Sequence, residues 1–152
     1  MPLPRSGDEP FPAFLDLWEK LLLASRDPGT VVLVEGDRDR LALRRLGLPG
    51  RIELVHGGGS LSHRAQTVGT GARRVVVLTD WDTEGGHLAQ RLRELLAPGP
   101  ATVDLDFRRR LGVALRGELV HVEGLAGWAR RAAEKAGAPL EHFLGGGATP
   151  PG

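Results

Sequence analysis

The amino-acid sequence predicts an α/β fold, in which a central parallel sheet of about four strands has helices on both faces. Two runs of four aliphatic residues, at 31–34 and 75–78, are typical of strands buried on both faces, as in parallel sheets. Segments with helical periodicity alternate with strand-like segments through short connections. The 152 residues are enough for one domain with a substantial core.

The first half of the chain is predicted to form a lead-in, a helix, a strand, a second helix and a second strand. These segments span residues 1–10, 11–25, 31–34, 37–46 and 52–55. The lead-in is rich in proline and charge, whereas the first helix has a broad apolar face that includes Phe14 and Trp18. Gly47 and Pro49 are typical residues for the end of the second helix.

The second half of the chain continues this alternation. A weak helix, a strand, a helix, a strand and a last helix are predicted at residues 61–68, 75–78, 85–96, 102–105 and 125–136. Leu88, Leu92 and Leu95 give the middle helix one apolar face. The run 107–111 contains three consecutive arginines and lies in the most basic part of the chain.

This order of elements divides the chain into four parts. A lead-in and helix occupy residues 1–29, an α/β core 30–106, a helical extension 107–144 and a tail 145–152. Glycine and proline dominate the tail, and terminal segments of this composition are predicted to be disordered.

Composition excludes several classes of protein. The chain has no cysteine, which excludes disulfides and thiolate metal sites. No apolar run approaches the roughly 20 residues of a membrane span, and the N-terminus lacks the apolar segment of a signal peptide. We therefore expect a cytoplasmic protein without membrane contact. Of the 20 basic residues 18 are arginine, a bias that is compatible with binding phosphate groups.

Three carboxylates follow the two apolar runs directly. Glu35 ends the first run, and Asp80 and Asp82 follow the second. Because ligand sites of open parallel sheets lie at the carboxyl ends of the strands, we expect these side chains to converge. Converging carboxylates repel one another unless a cation lies among them. The sequence therefore predicts a site for a hard divalent ion, Mg²⁺, for which Mn²⁺ can substitute.

A metal site of this kind favours phosphoryl-transfer chemistry, in which the ion stabilises developing charge and activates a nucleophile. Glu35 is the candidate for a third ligand or for the general acid or base. The alternative is that Asp80 and Asp82 only cap the following helix. Asp39 and Glu84 are further candidate acids, although both positions also suit a carboxylate at a helix N-terminus.

These residues resemble the Toprim domain, the catalytic module shared by topoisomerases and bacterial-type primases. The matching segments are residues 34–36, residues 79–85 and the glycine loop 57–59, and the resemblance covers roughly residues 30–106. It implies a Rossmann-like Toprim fold with Glu35 as general acid or base. It also implies that Asp80 and Asp82 bind Mg²⁺.

Within that family, the short chain looks most like small stand-alone Toprim proteins. These include bacterial nucleases that mature small ribosomal RNA and a set of uncharacterised archaeal proteins. Two departures from the topoisomerases are clear. Gly86 stands where they usually carry another acid, and the absence of tyrosine excludes tyrosine-linked DNA cleavage.

Other residues are candidates for contacts with a phosphate backbone. The main chain of Gly57, Gly58 and Gly59 can approach a phosphate closely, but the segment also suits a flexible turn. Arg108 and Arg109 are candidates for phosphate binding or for a solvated helix face.

Aromatic residues and histidines leave further alternatives open. Trp81 is predicted either to stack on a base or to pack against the first helix. The apolar face of that helix is predicted either to cover the sheet or to bind a protein partner or second copy. His56, His63 and His87 do not share metal-ligand spacing and are interpreted as non-ligands.

The function favoured by the sequence is Mg²⁺-dependent phosphodiester chemistry on RNA or DNA. Nuclease-type cleavage is preferred to nucleotidyl transfer, because a short chain offers little surface for a second substrate. The alternatives are a non-catalytic, metal-assisted nucleic-acid-binding or assembly subunit and a small-molecule phosphohydrolase. A phosphatase of the haloacid-dehalogenase type is disfavoured, because Thr83 comes one position too early for its motif.

Overall fold

The computed structural model describes residues 9–144. The predicted tail at 145–152 and most of the predicted lead-in therefore lie outside the described residues. None of the described helices is long and apolar enough to cross a membrane.

The centre of the protein is a four-stranded, fully parallel sheet, which confirms the predicted fold class. Its strands are β1 (Thr30–Val34), β2 (Arg51–Leu54), β3 (Arg74–Val77) and β4 (Thr102–Asp104), in the spatial order β2-β1-β3-β4. Val32 of β1 pairs with Ile52 on one side and with Val76 on the other. β1 and β3 are thus the two central strands, as their continuous apolar sequences indicate.

Within residues 9–144, seven helices surround the sheet. They are α1 (Pro10–Ser25), α2 (Asp37–Arg45), α3 (Leu61–Thr70), α4 (Thr83–Leu96), α5 (Asp106–Leu115), α6 (Leu125–Lys135) and α7 (Leu140–Phe143). A short 3-10 turn, Val122–Gly124, precedes α6. Helices α3 and α4 cover one face of the sheet, and α1, α2, α5 and α6 cover the other.

The central strands separate two apolar cores. Val32 and Val34 face the core built with α1, α2, α5 and α6, whereas Val31 and Leu33 face the core built with α3 and α4. All four side chains are completely buried. Strand residues that alternate between two cores must be apolar at every position, which explains the uninterrupted valine and leucine run.

Helix α1 covers the chain's own sheet. Phe14 and Trp18 stack on one another at a ring-centroid distance of 5.7 Å, and both are completely buried. The Trp18 indole Nε1 donates a buried hydrogen bond of 3.0 Å to the carbonyl of Leu46, at the end of α2. The apolar face of α1 is thus buried in the core that covers the sheet, as one of the two alternatives predicted; a partner at this helix stays a prediction.

The chain reverses direction after α5. Arg116 and Gly117 both have positive φ angles, 52° and 78°, and this left-handed pair ends the helix. Residues 120–122 then lie beside the end of β3, where the carbonyl of Val120 accepts a 2.7 Å hydrogen bond from the N–H of Trp81. The C-terminal extension thereby reaches the carboxyl edge of the sheet.

We expect Trp18→Phe to lower the free energy of unfolding by about 1–3 kcal/mol, because it leaves the buried Leu46 carbonyl without its indole partner. Urea unfolding followed by circular dichroism measures this change. Leu23→Ala, at a residue of the same helix that is 66% exposed, is the control and should shift stability by less than about 0.5 kcal/mol. Equal stability of Trp18→Phe and the wild type would show that this hydrogen bond contributes nothing.

Candidate metal centre

The site lies where the connections from the two central strands diverge. β1 and β3 are neighbours, but β1 is followed by α2 on one face of the sheet and β3 by α4 on the other. Such a switch in chain direction opens a crevice at the carboxyl ends of the strands, where α/β proteins bind ligands. Glu35 follows β1, and Asp80 follows β3 after two further residues.

Glu35 and Asp80 are in direct contact. The N–H of Asp80 donates a 2.8 Å hydrogen bond to Oε2 of Glu35, across the gap between the two strands. Burial raises the pKa of the Glu35 carboxyl, and the negative charges of Asp80, Asp39 and Asp82 act in the same direction. The strand ends thus bring together the acids that the sequence placed there.

Asp82 caps the helix, as one of the two alternatives predicted, and it also faces the acidic cluster. Its Oδ1 accepts a 2.7 Å hydrogen bond from the N–H of Gly85, which makes Asp82 the N-cap of α4. Its Oδ2 lies 3.8 Å from Nδ1 of His121. One oxygen therefore caps the helix while the other faces the cluster.

His121 is a member of the cluster that sequence reasoning missed. Its Nδ1 lies 3.2 Å from Oδ2 of Asp80, and this hydrogen bond raises the pKa of the imidazole. One ligand atom from each of Asp80, Asp82 and His121 lies within 4.8 Å of the other two. His121 stands in an irregular segment, 39 positions after Asp82, so neither periodicity nor motif spacing could have indicated it.

Arg108 stabilises the main chain at the end of β3. Its guanidinium donates to the carbonyls of Thr79 at 3.1 Å and Asp80 at 2.6 Å. Burial lowers the pKa of this guanidinium, and the negative charges of Asp82, Glu35 and Asp80 oppose that shift. Arg109 lies instead on the exposed side of α5, where it pairs with Asp106 at 2.5 Å. The structure thus separates these two phosphate-binding candidates.

Trp81 packs against α5. Its Nε1 donates a 2.7 Å hydrogen bond to the carbonyl of Arg108, and its ring lies over Gly112, where a Cβ would come within 2.8 Å of it. These contacts identify α5 as a packing partner of Trp81. The ring also packs against the core to which α1 contributes side chains.

The two further acids that were candidates differ in their surroundings. Asp39 is almost completely buried, and its Oδ2 accepts a 3.0 Å hydrogen bond from the N–H of Gly36 at the start of α2. Burial raises the pKa of Asp39, and the charge of Asp80 adds to that effect. Glu84 is exposed in the first turn of α4, outside the group of close ligand atoms.

The glycine loop lies at the same edge of the sheet. The N–H of His56, just before the loop, donates a 3.1 Å hydrogen bond to the carbonyl of Glu35. Gly58 and Gly59 have φ angles of 96° and 79°, which other residues rarely adopt. Ser60 then caps α3 by accepting a hydrogen bond from the N–H of His63. The loop therefore begins beside Glu35.

The donor set fits a divalent cation. Two carboxylate oxygens and one imidazole nitrogen converge, and oxygen donors of this type are preferred by Mg²⁺ and Mn²⁺. Glu35, which is partly buried, and Asp39, which is buried, lie nearby. Burial is the main cause of the raised pKa of each carboxyl, and the charges of neighbouring acids add to it. A cation would relieve this second contribution.

Comparison with known proteins identifies the family. The family described as the Toprim domain matches residues 29–105. The chain belongs to the Toprim family. Toprim domains generally bind divalent metals and take part in metal-dependent nucleic-acid processing.

The relatives include proteins named only as UPF0292. The one from Methanosarcina acetivorans is 33% identical over 132 residues, which is 84% of this chain and 90% of the relative. The one from Thermococcus kodakarensis is 33% identical over 119 residues, or 78% of this chain and 85% of the relative. These matches confirm the expected likeness to small stand-alone Toprim proteins of the uncharacterised archaeal type.

A solved structure has the same fold. A putative protein from Aquifex aeolicus superposes with a TM-score of 0.59 at 28% identity, covering 71% of this chain and 94% of that chain. The Toprim match ends at residue 105, so Arg108 and His121 reach the site from the part of the chain that follows it.

Two adjacent glycines offer a matched test of the site's packing. A Cβ on Gly85 would lie far inside van der Waals contact with the carbonyl of Asp80, whereas a Cβ on Gly86 would lie 3.8 Å from the Arg108 guanidinium. We therefore expect Gly85→Ala to displace Asp80, to destabilise the fold and to weaken divalent-metal binding at least tenfold. Isothermal titration calorimetry with Mn²⁺ measures the affinity.

Gly86→Ala is the control. Alanine is favoured over glycine in a helix by up to about 1 kcal/mol, so this variant should be as stable as the wild type or more so, with unchanged metal affinity. If Gly85→Ala bound Mn²⁺ as tightly as Gly86→Ala, the close packing of Gly85 on the Asp80 carbonyl would not be needed to position a metal ligand.

Proposed function

We propose that this protein is a metal-dependent enzyme of phosphodiester chemistry that cleaves RNA or DNA as a nuclease. The observation that carries the proposal is the convergence of Asp80, Asp82 and His121, with the Glu35 carboxylate hydrogen-bonded to the main chain of Asp80. This arrangement supports a metal site with an adjacent acid–base group, the two elements that metal-assisted hydrolysis of a phosphodiester uses.

Asp80 and Asp82 would hold the ion, which we propose to be Mg²⁺, with Mn²⁺ able to replace it. Glu35, whose carboxylate accepts a hydrogen bond from the main chain of Asp80, is the proposed further ligand. When bound, such an ion neutralises charge that develops on the phosphate and lowers the pKa of a coordinated water. The N–H of Val122 donates a hydrogen bond to Oδ1 of Asp80, and the N–H of Gly85 donates one to Oδ1 of Asp82. The remaining oxygens are thereby directed towards the shared position.

Glu35 is proposed to act in proton transfer. Its Oε2 is held by the N–H of Asp80, and its raised pKa makes the carboxylate a better proton acceptor than an exposed glutamate. Glu35 would position and deprotonate the attacking water, or protonate the leaving oxygen. The glycine loop beside it would bind the adjoining phosphate through main-chain N–H groups.

Cleavage is preferred to nucleotidyl transfer on chemical grounds. Metal-assisted hydrolysis uses water, a metal ion and a proton-transfer group; the converging Asp80, Asp82 and His121 and the adjacent Glu35 support the last two. Transfer also needs a site for an incoming nucleotide and its pairing strand. The arginines predicted to contact phosphate do not supply such a nucleotide site. Arg108 donates to main-chain carbonyls, and Arg109 pairs with Asp106.

A non-catalytic nucleic-acid-binding or assembly subunit is the second candidate. Gly86 in place of the additional topoisomerase acid favours it, as does a net charge of only +1. Incubation with labelled structured RNA, single-stranded DNA and duplex DNA distinguishes the two. Assays in Mg²⁺ and in Mn²⁺, with and without nucleoside triphosphates, report cutting, extension or retention. Metal-dependent retention without any product would support the binding subunit.

Removal of either aspartate charge should abolish cleavage. We expect Asp80→Asn and Asp82→Asn to lower Mg²⁺ affinity at least tenfold and to leave no measurable product. Both variants keep an amide oxygen, so the hydrogen bonds from Val122 and Gly85 are preserved and the fold should remain intact. Asp37→Asn, at an exposed residue of α2, is the matched control and should retain activity. Cleavage by Asp80→Asn at the wild-type rate would refute the proposed ligand set.

Glu35→Gln should separate turnover from metal binding. We expect kcat to fall by about 10²–10⁴-fold, the usual contribution of a general acid or base, while metal affinity changes much less. Glutamine preserves an acceptor for the Asp80 N–H, so the main chain should not move. Glu84→Gln removes an exposed carboxylate from the same region and should leave both quantities unchanged. An unchanged kcat in Glu35→Gln would exclude the proton-transfer role.

A further inference from the structure

We propose that His121 is a nitrogen ligand of the ion held by Asp80 and Asp82, and that it shifts the preference of the site from Mg²⁺ towards Mn²⁺. The inference rests on the metal site of the proposed function and not on the cleavage reaction. It assigns a role in the site to a residue that lies 16 positions beyond the end of the Toprim match.

The main chain on both sides of His121 is fixed to the metal-site segment. The carbonyl of Val120 accepts a 2.7 Å hydrogen bond from the N–H of Trp81. The N–H of Val122 donates a 2.8 Å hydrogen bond to Oδ1 of Asp80. The main chain of His121 is therefore held beside the aspartates, so that no main-chain ordering is needed for the imidazole to reach an ion there.

The imidazole presents a ligand atom to both carboxylates. Nδ1 of His121 lies 3.2 Å from Oδ2 of Asp80 and 3.8 Å from Oδ2 of Asp82. Each of these carboxylates has its Oδ1 occupied by a main-chain N–H, so its Oδ2 faces the imidazole. One ligand atom from each of three separate side chains thus lies within 4.8 Å of the other two, so a single ion could contact all three.

The chemistry of the three donors predicts the preference between ions. Mg²⁺ strongly favours oxygen ligands, and a site made only of carboxylates and water satisfies it. An imidazole nitrogen adds more affinity for a first-row transition ion than for Mg²⁺. A site with two carboxylates and His121 should therefore discriminate for Mn²⁺ more strongly than the two carboxylates alone.

An ion pair is the competing explanation of the same geometry. In that case a protonated His121 neutralises Asp80 and Asp82, and an incoming cation must displace it. The two explanations predict opposite effects of removing the side chain. Loss of a ligand weakens metal binding, whereas loss of a competing cation strengthens it.

The test uses the untagged full-length protein and measures metal binding without nucleic acid. Mn²⁺ affinity is determined by electron paramagnetic resonance, and Mg²⁺ affinity by competition against Mn²⁺. Because loss of even an outer-shell partner costs about 10- to 100-fold in metal affinity, His121→Ala should weaken Mn²⁺ binding at least about tenfold. Its Mg²⁺ affinity should change by less than about threefold, so the preference for Mn²⁺ falls.

A spectroscopic signal identifies the nitrogen directly. Electron spin echo modulation from a coordinated ¹⁴N should be present on Mn²⁺ bound to the wild type and absent in His121→Ala. The His121 ring is half-exposed, with 51% of its side chain accessible, so the substitution should not perturb the core. His121→Gln, which supplies an oxygen in place of nitrogen, is a second variant that should also lose the ¹⁴N signal. His63→Ala removes an exposed imidazole from α3 and should keep both signal and affinity.

Two outcomes would overturn the inference. One is wild-type protein that binds Mn²⁺ without ¹⁴N modulation, and the other is His121→Ala protein that binds both ions as tightly as the wild type or more tightly. Failure of the proposed function looks different. In that case the ¹⁴N signal and the shift in ion preference are present, but no nucleic acid is cut by the wild type in either ion.

Discussion

The parallel pairing of β1 and β3 is the constraint on which the rest of the site depends. Two adjacent parallel strands end at the same edge of the sheet, so whatever follows them in sequence is brought together in space. Here acids follow both strands, and the hydrogen bond from the Asp80 N–H to Glu35 joins them. α2 and α4 leave towards opposite faces, which keeps the space in front of the acids open.

Concentrated negative charge is tolerated because the main chain solvates it. Glu35, Asp39, Asp80 and Asp82 each accept a hydrogen bond from a backbone N–H on one carboxylate oxygen. The N-termini of α2 and α4 contribute two of these donors, and the partial positive charge of a helix N-terminus also favours carboxylates. These contacts orient the acids without neutralising their negative charge, which a bound cation would do.

The fold and the acids could be predicted from the sequence because their signals are local. A strand buried on both faces must be apolar throughout, and a carboxylate directly after such a strand has only one edge of the sheet to occupy. Glu35, Asp80 and Asp82 were found in this way. His121, in contrast, reaches the site only because α5 packs beside α1 and a left-handed pair, Arg116 and Gly117, turns the chain back. No local pattern contains that information.

The contact between α5 and Trp81 could likewise not be predicted from the sequence. The arginine-rich run after β4 suited a solvated helix face, but no local pattern indicated that this helix would pack against Trp81. Arg108 shows the same limit. Its charge suggested that it binds phosphate, whereas in the structure its guanidinium donates hydrogen bonds to the carbonyls of Thr79 and Asp80.

The packing of α1, α5 and α6 has a consequence for how the domain should be delimited. The sequence match covers residues 29–105, yet these three helices supply most of the side chains that cover Val32, Val34 and Val76 on one face of the sheet. A fragment cut at the limits of the match would expose that face to water and would lose the backbone contacts at Asp80 and Trp81. The segment that matches the family is therefore smaller than the unit that folds. The helices outside it stabilise the sheet by covering one of its faces.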